Sequence, residues 1–338
     1  MPNQTTKLKN PYLLFLGDAA DQLAAKTADG IARWRPDWCV GQLRLPQCNA
    51  DLGLPDMDLE AGRQAGAQTL IVGVANRGGI ISDQWMATLN TALELGYDIA
   101  SGLHTRLAAS PALSAKAAKA GLQLIDVRYP KEEFKVGNGI KRTGKRLLTV
   151  GTDCSVGKMF TALAIEREMR ARGLNATFRA TGQTGIFIAG SGVSVDAVVA
   201  DFIAGATEAL SPDNEPHHWD LIEGQGSLFH ASYAGVSLGL LHGAQADCLV
   251  LCHEPTRQHM RGLPEYPLPD LAACIELNET AGRLTNPAGR VIGISINTSG
   301  LPQAQADLYL QEIETATGLP CVDAYRQGAA RLVDALPV

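Results

Sequence analysis

Nowhere in the 338 residues does an apolar run approach the roughly 20 residues needed to cross a bilayer, and the opening stretch, MPNQTTKLKNPY, is polar. Neither a membrane span nor a cleaved leader is expected, and a cytoplasmic location follows. Basic blocks are scarce too. The longest is KRTGKR at 141–146, in a chain of formal net charge −6, which excludes a nucleic-acid footprint and points to a small-molecule partner. The seven cysteines, Cys39, Cys48, Cys154, Cys248, Cys252, Cys274 and Cys321, form no CxxC pair, a pattern of reduced thiols rather than a disulfide framework. Cys248, Cys252 and His253 come nearest to a metal cluster, but in DCLVLCHE alternate residues face opposite sides of a strand. They read as core residues, and no metal is expected. There is no internal repeat and no low-complexity tract.

What is present is enough apolar sequence, 46% of the chain, to bury more than one core. Over residues 12–128 the short runs YLLFLGD, CVGQLRL, TLIVGVAN, DIASGL and LQLIDVR alternate with helical stretches such as 20–34 and 82–96. That alternation predicts a parallel sheet wound on both sides. The charged, glycine-containing segment 129–146 suits a linker. Beyond it RLLTV, ATFRAT, WDLIEGQG, CLVLCHE and RVIGISINT repeat the alternation. Two α/β domains are therefore expected, spanning 1–135 and 146–338. Ligands of such sheets gather at the carboxyl ends of the strands, where GTDCSVGK (151–158), TGQTG (181–185) and EGQGS (223–227) fall.

The stretch RLLTVGTDCSVGKMFTALAIE, 146–166, reads as strand, glycine-bearing loop and helix. Its backbone N–H groups and the positive end of the helix form a ready anion site. The residues of that cradle are Gly151, Thr152, Asp153, Cys154, Ser155, Val156, Gly157, Lys158 and Met159. Loops that cleave nucleotides hold magnesium with a hydroxyl directly after the lysine. Here that residue is Met159, and a thioether does not replace a hard oxygen ligand. Thr161, two residues on, should face another side of the helix. Two readings remain: a nucleotide is cleaved with its metal held otherwise, by Asp153 and Glu223 for instance, or a diphosphate is gripped and never cleaved. Coenzyme A is a ligand of the second kind.

Together GTDCSVGK, TGQTG and EGQGS, with GVANRGG at 73–79 and HEPTR at 253–257, resemble the bacterial D-glutamate N-acetyltransferase family of the DgcN type, formerly a domain of unknown function. The resemblance covers almost the whole chain. It implies a Rossmann-like N-terminal domain, a P-loop C-terminal domain, and acetyl transfer from acetyl-CoA to the amine of D-glutamate. More distantly the C-terminal half resembles dethiobiotin synthetase, which suggests as an alternative an ATP-dependent ligase or kinase. A CoA or nucleotide sensor without turnover is the third reading.

Acetylating an amine requires removing a proton and stabilising an oxyanion. Glu223, ending the strand WDLIEG between close-approach glycines, is the first candidate base. His230 and His253 are the second. Cys154 as a covalent carrier ranks below its role as a small loop residue. For the acceptor's carboxylates the guanidinium forks of Arg257 and Arg261, four apart, are candidates. Arg77 and Arg106, after strands of the first sheet, would close the site from the other domain. Gln183, Thr184 and Gln225 offer further polar groups, and Asn297, at the end of RVIGISIN, is placed to recognise adenine. The first turn, GDAADQLAA, lacks GxGxxG and disfavours dinucleotide binding there. A homo-oligomer is expected.

Overall fold

A computed structural model describes residues 7–74, 81–130 and 132–337. It divides into two compact units. One comprises the chain up to Glu132 together with Gly182–Ala197, the other Glu133–Thr181 with Val198–Val338.

In the first unit five parallel strands, β1 (Tyr12–Gly17), β2 (Cys39–Arg44), β3 (Thr69–Val72), β4 (Asp98–Ser101) and β5 (Leu124–Asp126), line up in the order β2-β1-β3-β4-β5. Every residue of β1 is buried, as a strand covered by helices on both faces requires. Those helices are α1 (Lys26–Trp34), α2 (Leu59–Gln64), α3 (Asp83–Glu94) and α4 (Pro111–Ala120). Side-chain caps from Asp58, Ser82 and Ser110 start the last three. The helix expected over 20–34 begins only at Lys26, because the residues before it fold as turns.

The second unit is built on a six-stranded parallel sheet. Its strands are β6 (Lys145–Gly151), β7 (Ala176–Arg179), β8 (Trp219–Ile222), β9 (Cys248–His253), β12 (Arg290–Ile296) and β13 (Cys321–Val322). They are ordered β13-β12-β9-β6-β8-β7. The helices are α5 (Lys158–Ala171), α7 (Ile203–Leu210), α8 (Ala234–Ala244), α9 (Leu271–Gly282), α10 (Gln303–Thr317) and α11 (Ala330–Asp334). An antiparallel pair, β10 (His259–Met260) with β11 (Leu263–Pro267), lies inside the proline-rich excursion after β9. The core between sheet and helices joins Leu148, Val150, Leu240, Leu241, Leu249, Leu251, Ile294 and Ile296. No helix among the described residues is long and apolar enough to cross a membrane.

One helix departs from the expected division into continuous blocks 1–135 and 146–338. α6 (Gln183–Ala189) leaves the second unit and packs in the first. Its Ile186, Phe187 and Ile188 are buried, and Gly30 of α1 admits the Thr184 methyl, which a Cβ there would meet at 3.1 Å. Leu8 N–H donates to the Gly190 carbonyl at 2.8 Å.

The basic stretch KRTGKR is structural. Arg146 is fully buried and donates to the carbonyls of Arg142, Thr143, Gly144, Ser211 and Pro212, while Lys141 pairs with Asp247 at 2.9 Å. In the central β9, Leu251→Ala removes a fully buried side chain. It is expected to cost about 2–5 kcal/mol of stability, read as a lowered urea midpoint by circular dichroism.

Candidate phosphate-binding site

β6 ends at Gly151, and α5 starts at Lys158 with Gly157 as its N-cap residue and no side chain capping it. The first-turn N–H groups are thus left for an anion. Ser155 (φ 54°) and Gly157 (φ 102°) take left-handed conformations, which curl the loop into the concave form that gathers N–H groups. Gly224 is irreplaceable where β8 meets β6: a Cβ there would lie 1.6 Å from the Thr149 carbonyl oxygen. Its N–H donates to Thr149 Oγ1 at 3.0 Å. Lys158 is buried, and its Nζ donates to the Asp153 carbonyl at 2.7 Å. Burial pushes its pKa down, so its charge is held at a cost that an arriving anion would relieve.

Arg257 braces this loop from outside. Its Nη1 donates to Asp153 Oδ2 at 2.6 Å and to the Cys154 carbonyl at 2.6 Å. Nη2 reaches the Ser155 carbonyl at 2.8 Å, and Nε reaches Glu254 Oε2 at 3.0 Å. Asp153, fully buried, also accepts from the N–H groups of Cys154 at 2.6 Å and Arg261 at 2.9 Å. Arg261 Nη1 donates to Ser155 Oγ. Both arginines therefore stand against the phosphate cradle. The expectation that they fork a substrate carboxylate meets an arrangement in which Arg257 is already engaged by two carboxylates and two carbonyls.

The histidines are similarly committed. His230 Nδ1 accepts from Ser232 N–H at 3.2 Å, so Nε2 carries the proton and donates to the Arg261 carbonyl at 3.1 Å. His253 bonds Thr152 Oγ1 through Nδ1 at 3.0 Å and Tyr309 Oη through Nε2 at 3.2 Å. Burial lowers its pKa to about 4. Glu223, also buried, accepts from Thr181 N–H through Oε2 at 3.0 Å, and its carbonyl accepts from Thr181 Oγ1 at 2.6 Å. Gln225 Nε2 donates to that same hydroxyl at 3.0 Å.

Thr161 turns into the sheet and donates to Ser295 Oγ at 2.8 Å, as its position on the helix predicted, leaving Met159 at the place of the metal-holding hydroxyl. The two carboxylates named as alternative cation holders, Asp153 and Glu223, accept from N–H groups. Among the described residues Asp153, Cys154 and His230 bring potential ligand atoms within 4.8 Å of one another. Arg257 occupies that carboxylate, and burial raises the Cys154 pKa, so the group is poorly suited to a cation and the thiol poorly suited to act as a carrier. The Asn297 amide oxygen accepts from Ser299 N–H at 3.1 Å, closing a turn at the end of β12.

The remaining expected residues belong to the first unit. The guanidinium of Arg106 sits 3.9 Å from the centroid of the Tyr129 ring. Thr184 Oγ1 lies 3.5 Å from Thr27 Oγ1, and the Gln183 amide packs against the Gly102 carbonyl and Arg128. Arg77 lies outside the described residues. Sequence reasoning passed over Tyr309, which carries no motif and lies 56 positions from His253. It also passed over Glu254, whose spacing of three from Arg257 in HEPTR was the available signal.

A nucleotide-type anion cradle at the carboxyl end of a parallel sheet, accompanied by a second parallel-sheet unit, defines an α/β protein of the P-loop class. The chain belongs to the DUF1611 family, described as a domain of unknown function: residues 44–130 match its Rossmann-like N-terminal domain and 135–333 its P-loop domain. A protein of Tritonibacter scottomollicae named D-glutamate N-acetyltransferase is 58% identical over 329 residues, covering 97% of this chain and 99% of the relative. One of the same name from a Pseudoalteromonas species is 48% identical over 327 residues, covering 97% and 98%. The crystal structure of a DUF1611 family protein from Anabaena variabilis superposes with a TM-score of 0.84 at 34% identity, covering 97% and 99%.

His253 makes the site acid-sensitive. An imidazole with an ordinary pKa of 6.5 takes its proton in this fold only near pH 4, so the native state binds fewer protons than the unfolded chain between those values. Its contribution is complete above about pH 6.5 and is lost as the pH falls through 4, amounting to roughly 3 kcal/mol. His253→Gln should flatten the pH dependence of thermal unfolding across that window.

Proposed function

We propose that this protein is a D-glutamate N-acetyltransferase that uses acetyl-CoA as donor. The observation that carries the reading is the 58% identity, over 97% of the chain, to the relative of that name. The cradle's chemistry supports it. A loop with Met159 after the lysine, and with Asp153 and Glu223 already accepting N–H bonds, is suited to holding a diphosphate rather than splitting it through a bound cation. In CoA the diphosphate is a handle, remote from the reacting thioester.

In the reaction the D-glutamate amine, once neutral, attacks the acetyl carbonyl. A C–N bond forms, the C–S bond breaks, and CoA leaves as its thiol. Glu223 is the proposed acceptor of the amine's proton, being a buried carboxylate beside the glycine that opens the end of β8. The histidines suit that role less: His253 is held neutral by burial between two hydroxyls, and His230 spends both nitrogens on backbone groups. Lys158 and the N–H groups at the start of α5 would hold the donor's diphosphate, with Asn297 near its adenine and Gln225 as a candidate for the acceptor. Seven unbridged cysteines fit a cytoplasmic enzyme.

Purified protein mixed with acetyl-CoA and D-glutamate should release free thiol and form N-acetyl-D-glutamate, with L-glutamate reacting far more slowly. No thiol with either enantiomer, together with magnesium-dependent ADP formation from ATP, would return the ligase reading instead. Glu223→Gln keeps an oxygen for the Thr181 N–H. It should lower kcat by about 10²- to 10⁴-fold while CoA affinity, measured by calorimetry, stays near that of the unaltered protein.

A further inference from the structure

Around the phosphate loop three carboxylates, Asp153, Glu223 and Glu254, face two cations, Lys158 and Arg257. Arg257 is engaged on both sides, by Asp153 and Glu254, and its remaining bonds go to the loop's own carbonyls. Left at that, the surroundings carry an excess of negative charge, an adverse host for a diphosphate. In nucleotide-cleaving loops a divalent cation corrects that balance. Here Met159 stands at the cation's usual anchor, and Asp153 and Glu254 are paired with Arg257.

Among the described residues Arg261 is the third cation at the loop, beside Lys158 and Arg257. Its backbone N–H is pinned to Asp153 Oδ2 at 2.9 Å, and Nη1 donates to Ser155 Oγ at the left-handed crest. Its side chain is exposed. Nε and Nη2 have no hydrogen-bond partner among the described residues. A planar fork with donors to spare, fixed at its base and open at its tip, matches a phosphate oxygen pair.

We infer that Arg261 is the charge partner of the bound diphosphate, standing in for a divalent cation and making the binding of a nucleotide-type anion independent of metal. This reassigns Arg261 from the acceptor's carboxylate to the donor's phosphates. It deepens the proposed function and rests on that reading's placing a diphosphate in the cradle. The same segment thus serves twice: Arg257 shapes the loop and Arg261 completes its charge.

The test is calorimetric titration of the full chain with CoA and, separately, with inorganic pyrophosphate, in EDTA and again with added magnesium. For the unaltered protein both ligands should bind with the same affinity in either buffer. Arg261→Gln, which keeps the backbone bond to Asp153, should weaken both by about 10- to 100-fold, with an unchanged melting temperature, and Arg261→Lys should recover part of the loss. The inference is overturned if magnesium strengthens binding to the unaltered protein, or if Arg261→Gln leaves both affinities intact and raises only KM for D-glutamate. Its failure is separable from that of the proposed function. Thiol release by the unaltered protein alongside unaffected binding in Arg261→Gln would sink the inference alone. Arg261-dependent pyrophosphate binding without acetyl transfer would sink only the enzymatic reading.

Discussion

The ion pair between Asp153 and Arg257 governs the rest of this site. A carboxylate with no solvent exposure sits inside a loop built to receive anions, and it is tolerable there because a guanidinium meets it at 2.6 Å and the backbone N–H groups of Cys154 and Arg261 donate to it. Removing one partner of such a buried pair typically costs 3–5 kcal/mol, roughly, because the other charge is stranded. The pair also ties the segment after β9 to the loop after β6. Two neighbouring strand ends are thereby fastened across 104 positions of sequence, and the cradle is shaped before any ligand arrives. Preformed N–H donors need no reorganisation when charge is delivered to them.

The loop's departures from the nucleotide-cleaving pattern form one consistent set. Met159 removes an anchor for a hard cation, Thr161 is used inside the sheet, and the two carboxylates within reach are satisfied by N–H groups. Each change alone is compatible with ATP chemistry, and jointly they are what the proposed reading, a diphosphate held without being cleaved, would ask of the loop. On the proposed reading, a nucleotide-type loop would serve group transfer, its phosphates anchoring the donor without reacting.

Much of the fold was legible because parallel strands buried on both faces appear in sequence as short apolar runs, as YLLFLG and CLVLCH do. The phosphate loop was legible for a different reason: glycine and lysine at that spacing, between strand and helix, leave few other meanings. β13 escaped because two residues carry no periodicity. The roles of Arg257, Arg261 and His230 escaped because a sequence gives residue types at a strand end but not which of several acceptors each will meet. Their partners come from segments tens of residues away. Likewise nothing in TGQTG revealed that the chain changes units within it, between Thr181 and Gly182. Gly30 gives α6 a close approach to α1, a pairing across more than 150 residues in which a Cβ would meet the Thr184 methyl at 3.1 Å.

This last feature sets how the two halves of the chain can be handled. The polypeptide passes from one unit to the other three times, after Glu132, Thr181 and Ala197, so neither half is a cassette that a single cut would release. A fragment ending at Glu132 would bare the apolar side of α1 that α6 covers. A fragment beginning at Glu133 would carry α6 as an orphaned greasy turn. Recombining this protein with a relative would need matched exchanges at all three seams, one of them directly after the threonine that the Glu223 carboxylate holds.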